Sequence, residues 1–157
     1  VSGFDLNPPS AAERARLEAD LSPEEAEVLL RHGTEAPFCG LLLHEDRSGI
    51  FTCRLCGLPL FLGGEKFESG TGWPSFTSPF DRKHLVEKSD TTYGMRRTEL
   101  LCGRCGSHQG HVFPDGPPPT GLRYCINSVS LEFTRSGQPL PDKLGRGAPE
   151  GAPFVTG

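Results

Sequence analysis

Four of the six cysteines stand in two C-x-x-C-G units, Cys53-Arg54-Leu55-Cys56-Gly57 and Cys102-Gly103-Arg104-Cys105-Gly106. Two residues between thiols let a tight turn aim both sulfurs at one ion, and the following glycine supplies the positive φ such turns need. Two units together make a four-sulfur tetrahedral site, which leaves no position for substrate and is therefore structural. The chain has to bring Cys53, Cys56, Cys102 and Cys105 together, one pair on each of two hairpin-like segments. A thioredoxin-type redox pair is the competing reading, but it needs only one motif in a βαβ setting. One structural zinc ion is expected; the spacing does not separate zinc from iron.

The rest of the chain suits hairpins. Twenty glycines and fifteen prolines make up about a fifth of 157 residues, above the usual combined share of roughly 12%. Two short helices open the protein. Ser10 with Glu13 fits a capping box, and "SPEEAEVLLRHG" combines a Ser22 cap, Pro23 at the first turn, acidic Glu24 and Glu25, and Gly33 as a stop. After Gly33 come short runs broken by glycine and proline: "CGLLLH", "GIFTC", "PLFL", "TELLC", "HVF" and "LRYCINSVSLEF". The expectation is a mainly β, antiparallel domain with short N-terminal helices. Residues 1–20 form an arm with a possible short helix, 21–133 the domain, and 134–157 a Gly/Pro-rich mobile tail. This length buries a core without disulfides. A net charge of −4 and a pI near 5.7 give no broad reason to bind nucleic acid or an anionic membrane. No apolar run approaches the roughly 18 residues of a membrane span. A cytoplasmic monomer is the default.

Cys39 and Cys125 remain. In a strand, side chains alternate between faces, so Arg123, Cys125 and Asn127 share one face while Leu122, Tyr124 and Ile126 share the other. Either cysteine can be an inert core thiol. For Cys125 the polar neighbours favour a reactive one, because a guanidinium beside a thiol lowers its pKa. His108 and His111 lie just upstream, beside the stiff turn "PDGPPPTG". As metal ligands they are disfavoured, because the cysteines already supply a full set for one ion; they are either satisfied histidines or proton donors to a reacting oxygen. Trp73, the only tryptophan, sits between Gly72 and Pro74 and suits a loop where its ring walls a pocket. His32, His44 and His84 join no constellation and read as surface.

Together, "SGTGWPSF", "HQGHVFPDGPPPTGLRYCIN" and the paired C-x-x-C units resemble the methionine sulfoxide reductase B family from about Leu21 to Phe133. The resemblance implies two antiparallel sheets clamped by zinc away from the active site. It implies reduction of the R epimer of methionine sulfoxide in peptides and proteins. Cys125 matches the nucleophile and Trp73 the ring against the substrate methyl. His108 and His111 match the groups acting on the sulfoxide oxygen, Asp115, Arg123 and Asn127 those that fix them and tune the thiolate, and Phe113 a lining aromatic. Attack leaves Cys125 as sulfenic acid, which a second thiol must resolve. Many members carry that thiol just before the Gly-Trp-Pro-Ser-Phe segment, where this chain has Thr71. Cys39 is the spare thiol; the expectation is a Cys39–Cys125 disulfide reduced by thioredoxin, with direct reduction by thioredoxin or a small thiol as the alternative. A non-catalytic zinc-bearing β-domain that binds peptides is the rival from another class, since fold does not fix function. A nucleic-acid-binding zinc ribbon is disfavoured by the acidic charge.

Overall fold

The computed structural model describes residues 3–147. Both expected capping boxes form: Ser10 and Ser22 accept the backbone N–H of Glu13 and Glu25 at the starts of α1 (Ala11–Ala19) and α2 (Pro23–Arg31). The stop of α2 comes one residue earlier than Gly33. His32 itself takes the left-handed conformation, at φ 59.

The strands are β1 (Gly49–Cys53), β2 (Pro59–Leu62), β3 (Lys66–Phe67), β4 (Ser75–Phe76), β5 (Leu85–Asp90), β6 (Arg97–Cys102), β7 (His108–Phe113), β8 (Arg123–Ile126) and β9 (Leu131–Arg135). They form two antiparallel sheets, ordered β2-β1-β9 and β3-β4-β8-β7-β6-β5. The mainly β, two-sheet architecture with short N-terminal helices is therefore the observed one. An aromatic stack joins the sheets. Phe61 of β2 lies parallel to Phe76 of β4 at 4.3 Å, and Phe51 of β1 meets Phe76 at 5.0 Å. Tyr124 and Ile126 of β8 are buried in the same core, as the alternation of that strand requires.

Some local expectations are corrected. "CGLLLH" is a turn and not a strand, with Leu41 fully exposed while Leu43 is buried. Its hydrogen bonds go to a local turn and to the Ser128 hydroxyl, which accepts from the Leu42 N–H at 2.8 Å. β5, "LVEKSD", carries too much charge to read as a strand, yet charge suits the sheet edge it occupies. His84, expected on the surface, is wholly buried; its Nδ1 lies 2.5 Å from the Pro59 carbonyl. Among the described residues, stretches toward both ends also dock. Phe4 and Leu6 pack against the core, β9 carries the chain to Arg135, and Leu144 is buried. Residues 148–157 of the expected tail lie outside the described residues.

Candidate functional site

The two C-x-x-C units occupy the β1–β2 and β6–β7 turns, and Gly57 and Gly106 have φ of 84 and 74. All four thiols are buried, with Cys53 Sγ 3.7 Å from Cys105 Sγ and Cys56 Sγ 3.5 Å from Cys102 Sγ. An ion with metal–sulfur bonds of about 2.3 Å in a tetrahedron sets its sulfurs about 3.8 Å apart, so one such ion fits. Neighbouring thiols hydrogen-bond Cys56 and hold it well below the usual thiol range, and Arg104 adds to this. The Arg104 guanidinium reaches Cys56 Sγ at 3.5 Å and its carbonyl at 2.8 Å.

The second constellation lies on the large sheet. Pairing across it sets Ser75, Cys125, His111, Glu99 and Lys88 side by side on β4, β8, β7, β6 and β5. Directly opposed residues of antiparallel strands hold their Cβ atoms about 4.5–5.5 Å apart, so His111 is the immediate cross-strand neighbour of Cys125. A side chain at Gly110 would collide with the Cys125 carbonyl; glycine there lets β7 and β8 pair beside the thiol.

His108 and His111 are three residues apart and would point to opposite faces of a regular strand. The register of β6 against β7 slips by one residue, with Leu100 opposite Gly110 but Leu101 opposite His108. This bulge, at Gln109, resets the alternation and returns both imidazoles to the Glu99 face. The rings lie 5.6 Å apart, edge to face. His111 Nε2 is 2.8 Å from Asp90 Oδ2, and His108 Nδ1 is 2.7 Å from Glu99 Oε2. Glu99 Oε2 also meets His32 Nδ1.

A cavity of about 240 Å³ opens over Cys125, lined by Trp73, Thr71, His111, Phe113, Arg123 and Asn127 among others. His108 lies outside it, beneath a neighbouring cleft that His111 shares. Asp115 is largely exposed and grips Arg123 through two oxygens, at 2.9 and 3.2 Å; the guanidinium lies 4.4 Å over the Phe113 ring. Burial pushes the Cys125 thiol above its ordinary value, while Arg123 and the Thr71 hydroxyl pull it down without overcoming that. The expected net lowering by Arg123 is thus corrected: the cation offsets burial in part.

Burial lowers His108 below the usual imidazole value despite Glu99, so it is neutral near pH 7. Burial alone would raise Glu99, but hydrogen bonds to His32 and His108 outweigh it and the carboxyl falls below its usual range. Asp90 is held low chiefly by the Thr92 hydroxyl and N–H, then by His111.

Cys39 is exposed and does not line the cavity. Its neighbour Phe38 donates its N–H to the Gly72 carbonyl at 2.7 Å, which joins the Cys39 loop to the Trp73 loop. A Cβ at Gly72, where φ is 94, would strike Pro37 and Phe38.

A SelR domain model matches residues 21–135. The chain belongs to the methionine sulfoxide reductase B family. A Caulobacter vibrioides protein named peptide methionine sulfoxide reductase MsrB is 68% identical over 147 residues, covering 94% of this chain and 92% of the relative. A protein of the same name from Xylella fastidiosa is 60% identical over 144 residues, 92% of this chain and 93% of its own. One from Pseudomonas putida is 55% identical over 115 residues, 73% of this chain and 86% of its own.

Sequence reasoning missed Glu35, Glu99 and His32. Glu35 is buried and works through its backbone as much as its carboxyl. Its carbonyl accepts the Trp73 indole N–H at 3.0 Å and its own N–H reaches Asn127 Oδ1 at 2.9 Å. Its Oε1 accepts the Val129 N–H at 2.9 Å, and burial raises the carboxyl against that bond. No local pattern marks such a residue. Glu99 did carry a signal, a lone carboxylate inside the apolar run "TELLC".

Proposed function

We propose that this chain reduces the R epimer of methionine sulfoxide in peptides and proteins, with Cys125 as the attacking sulfur. The observation that carries the reading is Cys125 opposite His111 in one cross-strand row, with Trp73 lining the same cavity, which is sized for a small thioether group. The substrate methyl rests on Trp73 and lines up against Phe113. Cys125 attacks the sulfoxide sulfur while His111 hydrogen-bonds the oxygen, supported by His108 behind it. In the net step the sulfoxide oxygen passes to Cys125, so thiol and sulfoxide become sulfenic acid and methionine. Burial keeps the resting thiol protonated, and that proton is available to the departing oxygen. Arg123, braced by Asp115, stabilises the thiolate as it forms, and Asn127 holds the strand end in place. The SelR family match and the names of the relatives support this reading.

The four-cysteine centre takes zinc, which supplies no chemistry to the substrate and ties the two sheets. For recycling, Cys39 condenses with the sulfenic acid; a disulfide forms, water leaves, and the dithiol of thioredoxin reduces the bond. Disulfide geometry needs Cα atoms within about 7 Å, and the Phe38–Gly72 hydrogen bond already ties the exposed Cys39 loop to the Trp73 loop of the cavity. Peptide mapping after one turnover checks this step, and a free Cys39 beside an oxidised Cys125 refutes it. The decisive variant for the whole reading is Cys125→Ser. It should abolish reduction of a sulfoxide peptide while zinc content and melting temperature stay unchanged. Retained turnover would place the chemistry elsewhere, and an inactive wild type would leave a peptide-binding domain.

A further inference from the structure

Beside the thiol cavity runs a cleft of about 560 Å³ into which His32, Glu99, His108, His111, Asp90 and Arg97 project. Within it, one nitrogen from each of His32 and His108 and one carboxylate oxygen of Glu99 lie within 4.8 Å of one another. Among the described residues this is the one such cluster apart from the four cysteines. We propose that His32, Glu99 and His108 form a second, reversible site for a divalent transition ion of the zinc type, whose occupation locks the histidine pair of the reductase centre.

The donor chemistry is specific. Two imidazoles and a carboxylate suit zinc, cobalt or nickel and leave positions for water, whereas magnesium and calcium prefer oxygen alone. Ligation needs a neutral imidazole and an ionised carboxylate, and the contacts of the His32 and His108 Nδ1 atoms with one Glu99 oxygen bring the three ligands together. Without an ion, a single oxygen, Glu99 Oε2, serves both Nδ1 atoms. His108 itself is 2% exposed, while the His32 side chain is half exposed, so one ligand faces solvent and gives the ion an entry path.

The placement of His32 supports the same conclusion. It ends α2 in the left-handed conformation although Gly33, which tolerates that conformation freely, is the next residue. The α2 end is thereby turned so that the imidazole reaches β6 and β7. The ion would replace the hydrogens shared at Glu99 and pin His108, which packs edge-on against His111. Binding does not depend on the reductase reading; the inhibition that follows from it does.

The test uses the full chain with its cysteine centre already zinc-loaded. Calorimetric titration with Zn²⁺, and with Co²⁺ as a spectroscopic probe, should show uptake of a second equivalent. The cobalt bands should be weak visible ones from nitrogen and oxygen ligands, without sulfur-to-metal charge transfer. His32→Gly suits the backbone and leaves Glu99 bound to His108. It should weaken that uptake at least about tenfold, since even losing an orienting partner of a ligand costs this much. Its melting temperature and basal reduction of a sulfoxide peptide should match wild type, and Zn²⁺ inhibition should weaken in step with binding. His32→Asn, also tolerated in that conformation, serves if the glycine variant melts early. No second equivalent, sulfur charge transfer alone, or equal affinity in the variants would overturn the site. Uptake without inhibition would support the site and count against the part given to His108 in reduction.

Discussion

Trp73→Phe isolates what the indole contributes beyond an aromatic surface. The Trp73 Nε1–H donates to the Glu35 carbonyl at 3.0 Å, which fixes the ring against the loop that follows α2. Losing a bond of this kind costs about 1 kcal/mol. The smaller ring also withdraws about 40 Å² of apolar wall from a bound methyl group, worth about 1 kcal/mol more. Together, about 2 kcal/mol corresponds to a roughly 30-fold fall in kcat/KM. The wall is in contact before and during sulfur attack, so most of the loss should appear in KM, with kcat changing by less than about threefold. Initial rates on a methionine sulfoxide peptide, with dithiothreitol as reductant and chromatographic detection of the product, bypass thioredoxin and measure both constants. Melting followed by circular dichroism checks the fold. A kcat/KM within about twofold of wild type would refute the idea that Trp73 seats the substrate methyl, and a fall confined to kcat would make it a positioning group for Cys125 instead.

Removing a ligand of the cysteine centre with Cys102→Ser should cost at least about 5 kcal/mol and lower Tm by roughly 10–20 °C, since ion binding there is folding energy; a Tm within a few degrees of wild type would contradict a structural centre. In a Cys39→Ser background, iodoacetamide alkylation of Cys125 should rise only above the pH range of an ordinary thiol. Arg123→Met should push that rise to still higher pH, and a move to lower pH would show that Arg123 does not favour the thiolate. Glu35 has a raised native pKa, so it binds its proton more tightly folded than unfolded. Its contribution is full below the unfolded value and is lost as pH rises through the native one. Glu35→Gln should therefore lose less stability than wild type as pH rises above about 4.5 in urea titrations; parallel curves would refute this.

The features legible in the sequence are those set by short-range rules. The capping boxes at Ser10 and Ser22, the alternation along Arg123–Ile126 and the two C-x-x-C turns depend on residues within a few positions, and the fold reproduces them. Trp73, Cys125 and His111 were legible as separate points and meet in one cavity. What the sequence left hidden depends on pairing over long separations. β5 stays on the sheet because β6 offers it partners, though its own face is charged. His84 read as surface because the Pro59 carbonyl and the Phe4 ring beside it come from distant parts of the chain; that ring meets it edge-on at 5.6 Å. The net direction of the Cys125 shift depends on how deeply β8 is covered, which strand periodicity does not report.

The bulge at Gln109 connects two parts of the molecule that the sequence keeps apart. An unbulged β7 would send His108 and His111 to opposite faces, and the extra residue that prevents this also reaches the cysteine centre. The Gln109 amide lies 3.5 Å from Cys53 Sγ and 3.1 Å from the Ser107 hydroxyl, while its carbonyl accepts both the backbone and the side-chain N–H of Asn127, at 2.9 and 3.2 Å. Asn127 in turn accepts the Glu35 N–H, and the Glu35 carbonyl holds the Trp73 indole. A continuous chain of hydrogen bonds thus runs from a buried thiol to the Trp73 ring that lines the cavity. This path offers the four-cysteine cluster a route to the cavity wall. Gln109→Ala, which keeps the backbone bonds to Asn127 but cuts the link to Cys53, is the substitution that separates clamping from positioning. If the link matters, KM for a sulfoxide peptide should rise while the ion stays bound; an unchanged KM would show that backbone pairing alone fixes the site.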